Sequence, residues 1–280
     1  MSLIATAQER IDIIVVGAKK SGSNWMQFTL KSHPKIIIPS LERLYLFGAK
    51  SDEAAAQVYR NCSLHEDQRL THVKGDYYVR PSAMEDIAAA SDRKAGNTGR
   101  RISLILCCRQ PADRLYSDYA HDLRYGQTTR EFEEWLNTSR GRDAITFSSY
   151  GKAIENWWDP ARLPCLINFT EEFDNSEQLQ NLATFLQLSP FTSPPSKTMH
   201  NPCKLARERH LNYWLAQVER HTLLPNNLQR LLHRGREKLF IIDRRLPPMK
   251  ASTRVQLEAE FEPDIRKFEA ITGLKTPWLP

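Results

Sequence analysis

The sequence predicts an α/β fold: a central, mostly parallel sheet flanked by helices. Short apolar or β-branched segments alternate with amphipathic helical patterns, and those segments lack the strict polar–apolar alternation of a sheet with one wet face. Strands buried on both faces belong to a parallel sheet, which takes its ligands beyond the carboxyl ends of its strands.

Each element follows in order. Ile13-Ile14-Val15-Val16 marks a first strand over 11–16, and a turn containing Gly17 and Gly22 leads to a helix over 23–32. Ile36-Ile37-Ile38 centres a strand over 35–38, followed by a helix over 52–61 and a strand over 71–74. The run from Ile102 to Cys108 is a strand whose successor helix, 111–125, opens with Pro111 at a favoured first-turn position. Helices over 129–137 and 150–158, a strand over 164–169 and a helix over 176–186 complete the alternation. From Ser189 the pattern changes, because Ser193-Pro194-Pro195 breaks regular structure and 197–209 is polar and basic. Helical patterns return at 206–220, 226–236 and 252–272, with Gly273 as a C-terminal cap. A single domain over 1–280 is expected, with an α/β nucleotide-binding part (1–188) and a basic loop and helical part (189–280).

Composition narrows the function. The 280 residues carry 39 Lys and Arg against 33 Asp and Glu, a net charge of +6, with 41% hydrophobic residues. No apolar run reaches the roughly 18 residues of a membrane span. The first ten residues lack the features of a signal peptide. Five scattered cysteines (Cys62, Cys107, Cys108, Cys165, Cys203) suggest neither a disulfide framework nor a zinc site, and the eight histidines form no pair at ligand spacing. A cytosolic protein with reduced thiols, no metal and no membrane partner is expected, and the sequons at Asn61, Asn137 and Asn168 then stay unmodified. The cations are spread without a dense or aromatic-interleaved block, which favours a small anion over nucleic acid.

The segment Gly17-Ala18-Lys19-Lys20-Ser21-Gly22-Ser23-Asn24-Trp25 joins a strand to a helix. That geometry turns free backbone N–H groups and a helix dipole toward one point, a site for phosphate. The glycines have the spacing of G-x-x-x-x-G-K-[ST], but Ser23-Asn24 replaces its Lys-Ser/Thr, which disfavours a Mg²⁺-dependent kinase. Here the lysines precede the second glycine. Further on, Cys108-Arg109-Gln110-Pro111 ends a strand and Ser117 follows eight residues after Arg109, so a planar phosphate-binding fork and a hydroxyl share one strand–helix junction.

Lys20-Ser21-Gly22-Ser23-Asn24-Trp25 resembles the 5′-phosphosulfate loop, and Arg109 with Ser117 the 3′-phosphate motif, of sulfotransferases that use 3′-phosphoadenosine 5′-phosphosulfate (PAPS). Tyr150-Gly151-Lys152, the segment from Ile167 to Phe173 and the stretch from Pro263 to Gly273 are similar to scaffold parts of that family. The resemblance implies a P-loop-like nucleotide-binding sulfotransferase fold, PAPS as donor and adenosine 3′,5′-bisphosphate (PAP) as product. It places Lys20 at the leaving oxygen with Lys19 as an electrostatic helper, and Ser21, Gly22, Ser23, Asn24 and Trp25 around the 5′-phosphate. Trp25 is also placed to stack on adenine. Asn24 departs from the family's hydroxyl residue but keeps donor capacity. Lys197, in the basic loop with His200, Lys204 and Arg207, stands where relatives close a lid over the nucleotide.

A hydroxyl acceptor needs a base. Glu42 and Asp76 both lie where relatives carry one, and each has a structural ion pair as its alternative role; Lys74 is placed to assist. The expected acceptor is a small molecule such as a phenol, alcohol, sugar or secondary metabolite, with amine sulfation as a variant. The rival readings are a small-molecule kinase, a catalytically inactive nucleotide binder and a nucleic-acid-binding module.

Overall fold

The computed structural model describes residues 2–39, 45–173, 176–191, 205–221, 234–236, 238, 241–242 and 246–279. Five parallel strands form the main sheet in the order β2-β3-β1-β4-β5, with β1 Ile13–Gly17, β2 Ile36–Ile37, β3 Arg69–Val73, β4 Ser103–Cys108 and β5 Cys165–Phe169. β1 lies between β3 and β4, pairing Ile13 with Thr71 on one side and with Ser103 on the other. All five of its residues are buried, which explains its unbroken apolar run.

The α/β class holds. Helix α1 (Leu3–Glu9), absent from the sequence-based expectation, starts at Ser2, whose side chain accepts from the Ala5 amide. Helix α2 (Ser23–Lys31) follows β1, and helix α3 (Glu53–Asn61) is capped by Asp52. Arg10 closes the other end of α3 by donating to the carbonyls of Tyr59, Arg60 and Cys62. Helix α4 (Pro81–Thr98), also unexpected, has Pro81 at its start and Gly99 at φ 71° as its cap. Ala83, Ala88 and Ala90 lie on its buried face with Met84 and Ile87.

Two compact units are present, Met1–Gln110 with Ser149–Met199 and Glu262–Pro280, and Pro111–Ser148 with His200–Phe261. The first contains the main sheet. Its core has two layers: Ile14, Val16, Leu104 and Leu106 pack with Tyr77, Tyr78 and Tyr150 on one face, while Ile13, Val15, Ile105 and Cys107 pack with Trp25, Met26 and Leu182 on the other. Helices α8 (Tyr150–Ile154) and α9 (Ser176–Leu186) belong to this unit.

The second unit contains α5 (Pro111–Arg124), α6 (Phe132–Leu136), α7 (Ser139–Thr146), α10 (Arg209–His221) and a β6–β7 ladder in which Leu205–Ala206 runs antiparallel to Ile241–Ile242. Arg114, Asp118 and Asp122 are fully buried there. Arg114 donates to Asp118 at 2.6 Å and Arg140 donates to Asp118 and Asp122, so the carboxylates are neutralised where they are desolvated. Helix α11 (Ala251–Thr272) ends at Gly273, φ 71°, as expected. The expected helix over 226–236 lies mostly outside the described residues. Among the described residues no helix is long and apolar enough to cross a membrane.

Candidate functional site

The turn after β1 is held on both flanks by the neighbouring strand ends. The Ala18 amide donates to the Cys107 carbonyl and the Lys19 amide to the Gly75 carbonyl, each at 2.7 Å. Lys20 sits at φ 71°, a conformation non-glycine residues seldom adopt, and Gly22 follows at φ 80°. A Cβ at Gly22 would overlap the Phe173 ring, so conformation and space both demand glycine there.

The first bond of the α2 ladder runs from the Met26 amide to the Gly22 carbonyl, 3.0 Å. The amides of Ser23, Asn24 and Trp25 therefore precede the ladder and face out of the helix N-terminus, where the dipole favours an anion. Ser23 is half-buried and Asn24 exposed.

Ser21 serves the turn instead. It is fully buried, its amide donates to Ala18 and its hydroxyl lies 3.1 Å from the Tyr150 hydroxyl. Trp25 is likewise core: its indole stacks on Phe173 with centroids 4.4 Å apart.

Tyr150 joins this turn to the end of β4. Its hydroxyl donates to the Arg109 carbonyl at 3.0 Å and accepts from the Arg109 amide at 3.1 Å. With the one phenol proton committed, the bond to Ser21 is donated by the serine. Thr170 adds a second tie, its hydroxyl reaching the carbonyls of Ser21 and Cys108. Asp264 accepts from the Gly151 and Lys152 amides at 3.0 and 2.8 Å, which anchors the helix bearing Tyr150; burial raises its pKa against those bonds. No sequence signal marked Tyr150 as the hub, since a tyrosine at a helix start reads equally as core.

Arg109 is half-buried in the first unit, and Ser117 is half-buried on α5 in the second. Glu42 and Lys197 lie outside the described residues, as do His200 and Lys204.

Beside the lysine turn, β3 is followed by Lys74-Gly75-Asp76. One Asp76 oxygen accepts from Tyr45 at 2.7 Å and from Arg80 at 2.7 and 2.9 Å. The other is buried with no hydrogen-bond partner among the described residues. Asp76 thus has the ion pair named as its structural alternative and keeps one oxygen outside it. Lys74 lies 3.6 Å from the Tyr45 ring centroid, and burial lowers its pKa.

His72 is a core residue. Tyr77 Oη accepts from the amides of Leu46 and Phe47, so its proton goes to His72 Nε2, 3.0 Å away. His72 Nδ1 then carries the hydrogen toward Tyr59, 2.7 Å away, and burial lowers the pKa to about 3.

Asp118, His121 and Asp122 approach one another closely enough to hold a metal, but the two carboxylates already bind Arg114, Arg140 and Trp135.

The fold is similar to that of a crystal structure of a sulfotransferase from Alicyclobacillus acidocaldarius, with a TM-score of 0.64 and 17% identity over 96% of this chain and 98% of that one. Mouse sulfotransferase SULT7A1 complexed with PAP aligns with a TM-score of 0.44 and 13% identity, over 84% of this chain and 93% of that one. The sulfotransferase domain of the Synechococcus PCC 7002 olefin synthase aligns with a TM-score of 0.40 and 15% identity, over 85% and 95% of the two chains. No curated protein sequence matches. The sulfotransferase domain family model matches residues 10–201, well over half of the sequence, and the chain belongs to that family.

Proposed function

We propose that this chain moves a sulfuryl group from PAPS to a hydroxyl of a small-molecule acceptor, without a metal, as a single cytosolic sulfotransferase domain. The observation that carries the reading is the open N-terminus of α2 set directly after the Lys19-Lys20 turn and tied through Tyr150 to Arg109. The donor set suits a nucleotide with phosphate at both ends: helix amides without acceptors in their own ladder, a hydroxyl at Ser23, and a guanidinium at a strand end.

Bound PAPS supplies an activated sulfuryl group whose bridging oxygen leaves as part of PAP. Lys20 neutralises charge at that oxygen, and Lys19 raises the local positive potential. The amides of Ser23, Asn24 and Trp25, with Gly22 giving them room, hold the 5′-phosphate. The family resemblance assigns Arg109 and Ser117 to the 3′-phosphate, with Lys197 as a further cation for it. Ser21 and the Trp25 indole shape the turn from beneath.

Glu42 or Asp76 takes the acceptor proton as its oxygen bonds to sulfur. In-line transfer of this kind needs positioning and charge stabilisation more than covalent participation by the protein.

The test is thermal stabilisation by PAP beside AMP and Mg·ATP. A ligand confined to the folded state at a hundred times its dissociation constant adds about 2.7 kcal/mol. PAP alone stabilises the protein, and Arg109→Ala abolishes the effect. Stabilisation by Mg·ATP without PAP overturns the reading.

A further inference from the structure

Both peptide groups that flank the Arg109 Cα are held by side chains. β4 ends at Cys108, so Arg109 and Gln110 lie beyond its strand pairing. The Cys108 carbonyl accepts from the Thr170 hydroxyl at 2.8 Å and the Arg109 amide donates to the Tyr150 hydroxyl at 3.1 Å, which grips the first peptide on both edges. The Arg109 carbonyl accepts from Tyr150 at 3.0 Å and the Gln110 amide donates to a Glu171 carboxylate oxygen at 2.8 Å, which grips the second. Two planes fixed on either side of one Cα fix its φ and ψ, and with them the direction in which its side chain leaves the chain.

The three gripping residues divide the work. Tyr150 and Thr170 also reach Ser21 in the lysine turn, at 3.1 and 3.0 Å. Glu171 is exposed in the 3₁₀ turn Thr170–Glu172 directly after β5, and its hydrogen bond among the described residues goes to the Gln110 amide. All of these residues belong to the first unit. A charged acceptor makes the stronger kind of hydrogen bond, which suits a carboxylate to an amide that lies past the strand.

We propose that Glu171 is a positioning residue that aims Arg109 and so sets the preference for a nucleotide with a second phosphate, at the 3′ position. This rests on the sulfotransferase reading above, in which Arg109 takes that phosphate. Glu171 acts through the Gln110 backbone and not on the ligand. With that peptide released, the Arg109 guanidinium samples directions away from the phosphate, and binding must reorder it at a cost in affinity. The lysine turn keeps its ties to Tyr150 and Thr170, so the loss falls on one end of the nucleotide.

The test compares the dissociation constants of PAP and AMP by titration calorimetry. The parent binds PAP more tightly than AMP. Glu171→Ala is expected to weaken PAP at least fivefold while AMP stays within twofold, and Glu171→Gln, which keeps an acceptor oxygen, to recover the parent's preference. Glu171 is exposed, so neither substitution removes core packing. Amide hydrogen exchange in the ligand-free protein gives a second readout, with Gln110 exchanging at least tenfold faster in Glu171→Ala than in the parent. An equal PAP preference in parent and Glu171→Ala, tighter PAP binding in that variant through loss of a repelling charge, or unchanged exchange at Gln110 overturns the positioning role. A parent that binds PAP no more tightly than AMP overturns the nucleotide reading, and with it the preference assigned to Glu171.

Discussion

The hydroxyls of Tyr150 and Ser21 meet at 3.1 Å, and the same Tyr150 oxygen bonds both the amide and the carbonyl of Arg109. One side chain on α8 therefore holds the lysine turn after β1 and the Arg109 end of β4 in register. Tyr150→Phe keeps the ring between Tyr78, Phe268 and Trp278 and removes only the oxygen. Each buried partner left unsatisfied costs about 1–3 kcal/mol. Urea unfolding is expected to show a loss of about 2 kcal/mol together with weaker PAP stabilisation; a variant matching the parent in both would remove Tyr150 from this role.

Gly22 gives a second check on the same turn. Its φ of 80° disfavours any side chain, and the Phe173 ring occupies the space a Cβ would take. Gly22→Ala is expected to cost more than the roughly 1 kcal/mol of a purely conformational penalty, because the ring must also move. Pairing it with Phe173→Leu separates the two contributions. If the collision is real, the double variant regains part of the stability lost by Gly22→Ala, and strictly additive losses would exclude it.

Much of this site was readable because its chemistry depends on short-range order. A strand, two lysines, a glycine and a helix start occupy consecutive positions, so their spacing already specifies the strand–turn–helix junction. The strand–helix junction that carries Arg109 at the end of β4 and Ser117 on α5 was readable for the same reason. Tyr150, Asp264 and Thr170 were not, since their partners are remote in sequence and a tyrosine or threonine at an element boundary has no distinctive local pattern. The roles of Ser21 and Trp25 differ from a purely motif-based reading for the same cause: burial, visible only in the fold, turns the hydroxyl to Tyr150 and the indole to Phe173. Helix α4 was overlooked because small alanines give a weak amphipathic signal, although Pro81 and Gly99 bracket it.

His72 provides a prediction in pH. Its pKa, lowered to about 3 by burial, lies below the usual value near 6.5. The unfolded chain then binds the proton that the folded chain refuses, so this group's contribution to stability is complete above about pH 6.5 and is lost as pH falls toward 3. Histidine ring NMR is expected to show one imidazole that stays neutral at pH 5, with hydrogen on Nδ1. A His72 resonance titrating near pH 6.5 in the folded protein would contradict the Tyr59–His72–Tyr77 chain.

The second unit makes the strongest stability prediction, because its charges are buried deepest. Asp118 and Asp122 are fully buried, and Arg140 bonds both. Burial alone would raise the pKa of Asp122, yet the nearby His121 ring and the bonds from Arg140 and Trp135 hold it below the ordinary carboxylate value. Arg140→Ala removes the guanidinium that bonds both Asp118 and Asp122, and uncovering one partner of a buried pair costs about 3–5 kcal/mol. Arg140→Lys restores charge but not the fork, so partial recovery is expected. A depressed carboxylate pKa contributes stability above the unfolded value and loses it as pH falls through the folded one. Arg140→Ala should therefore narrow the stability gap to the parent as the solution is acidified, because the parent's Asp122 is then being protonated as well. A gap constant from neutral to acid pH would mean that Arg140 contributes packing and not charge.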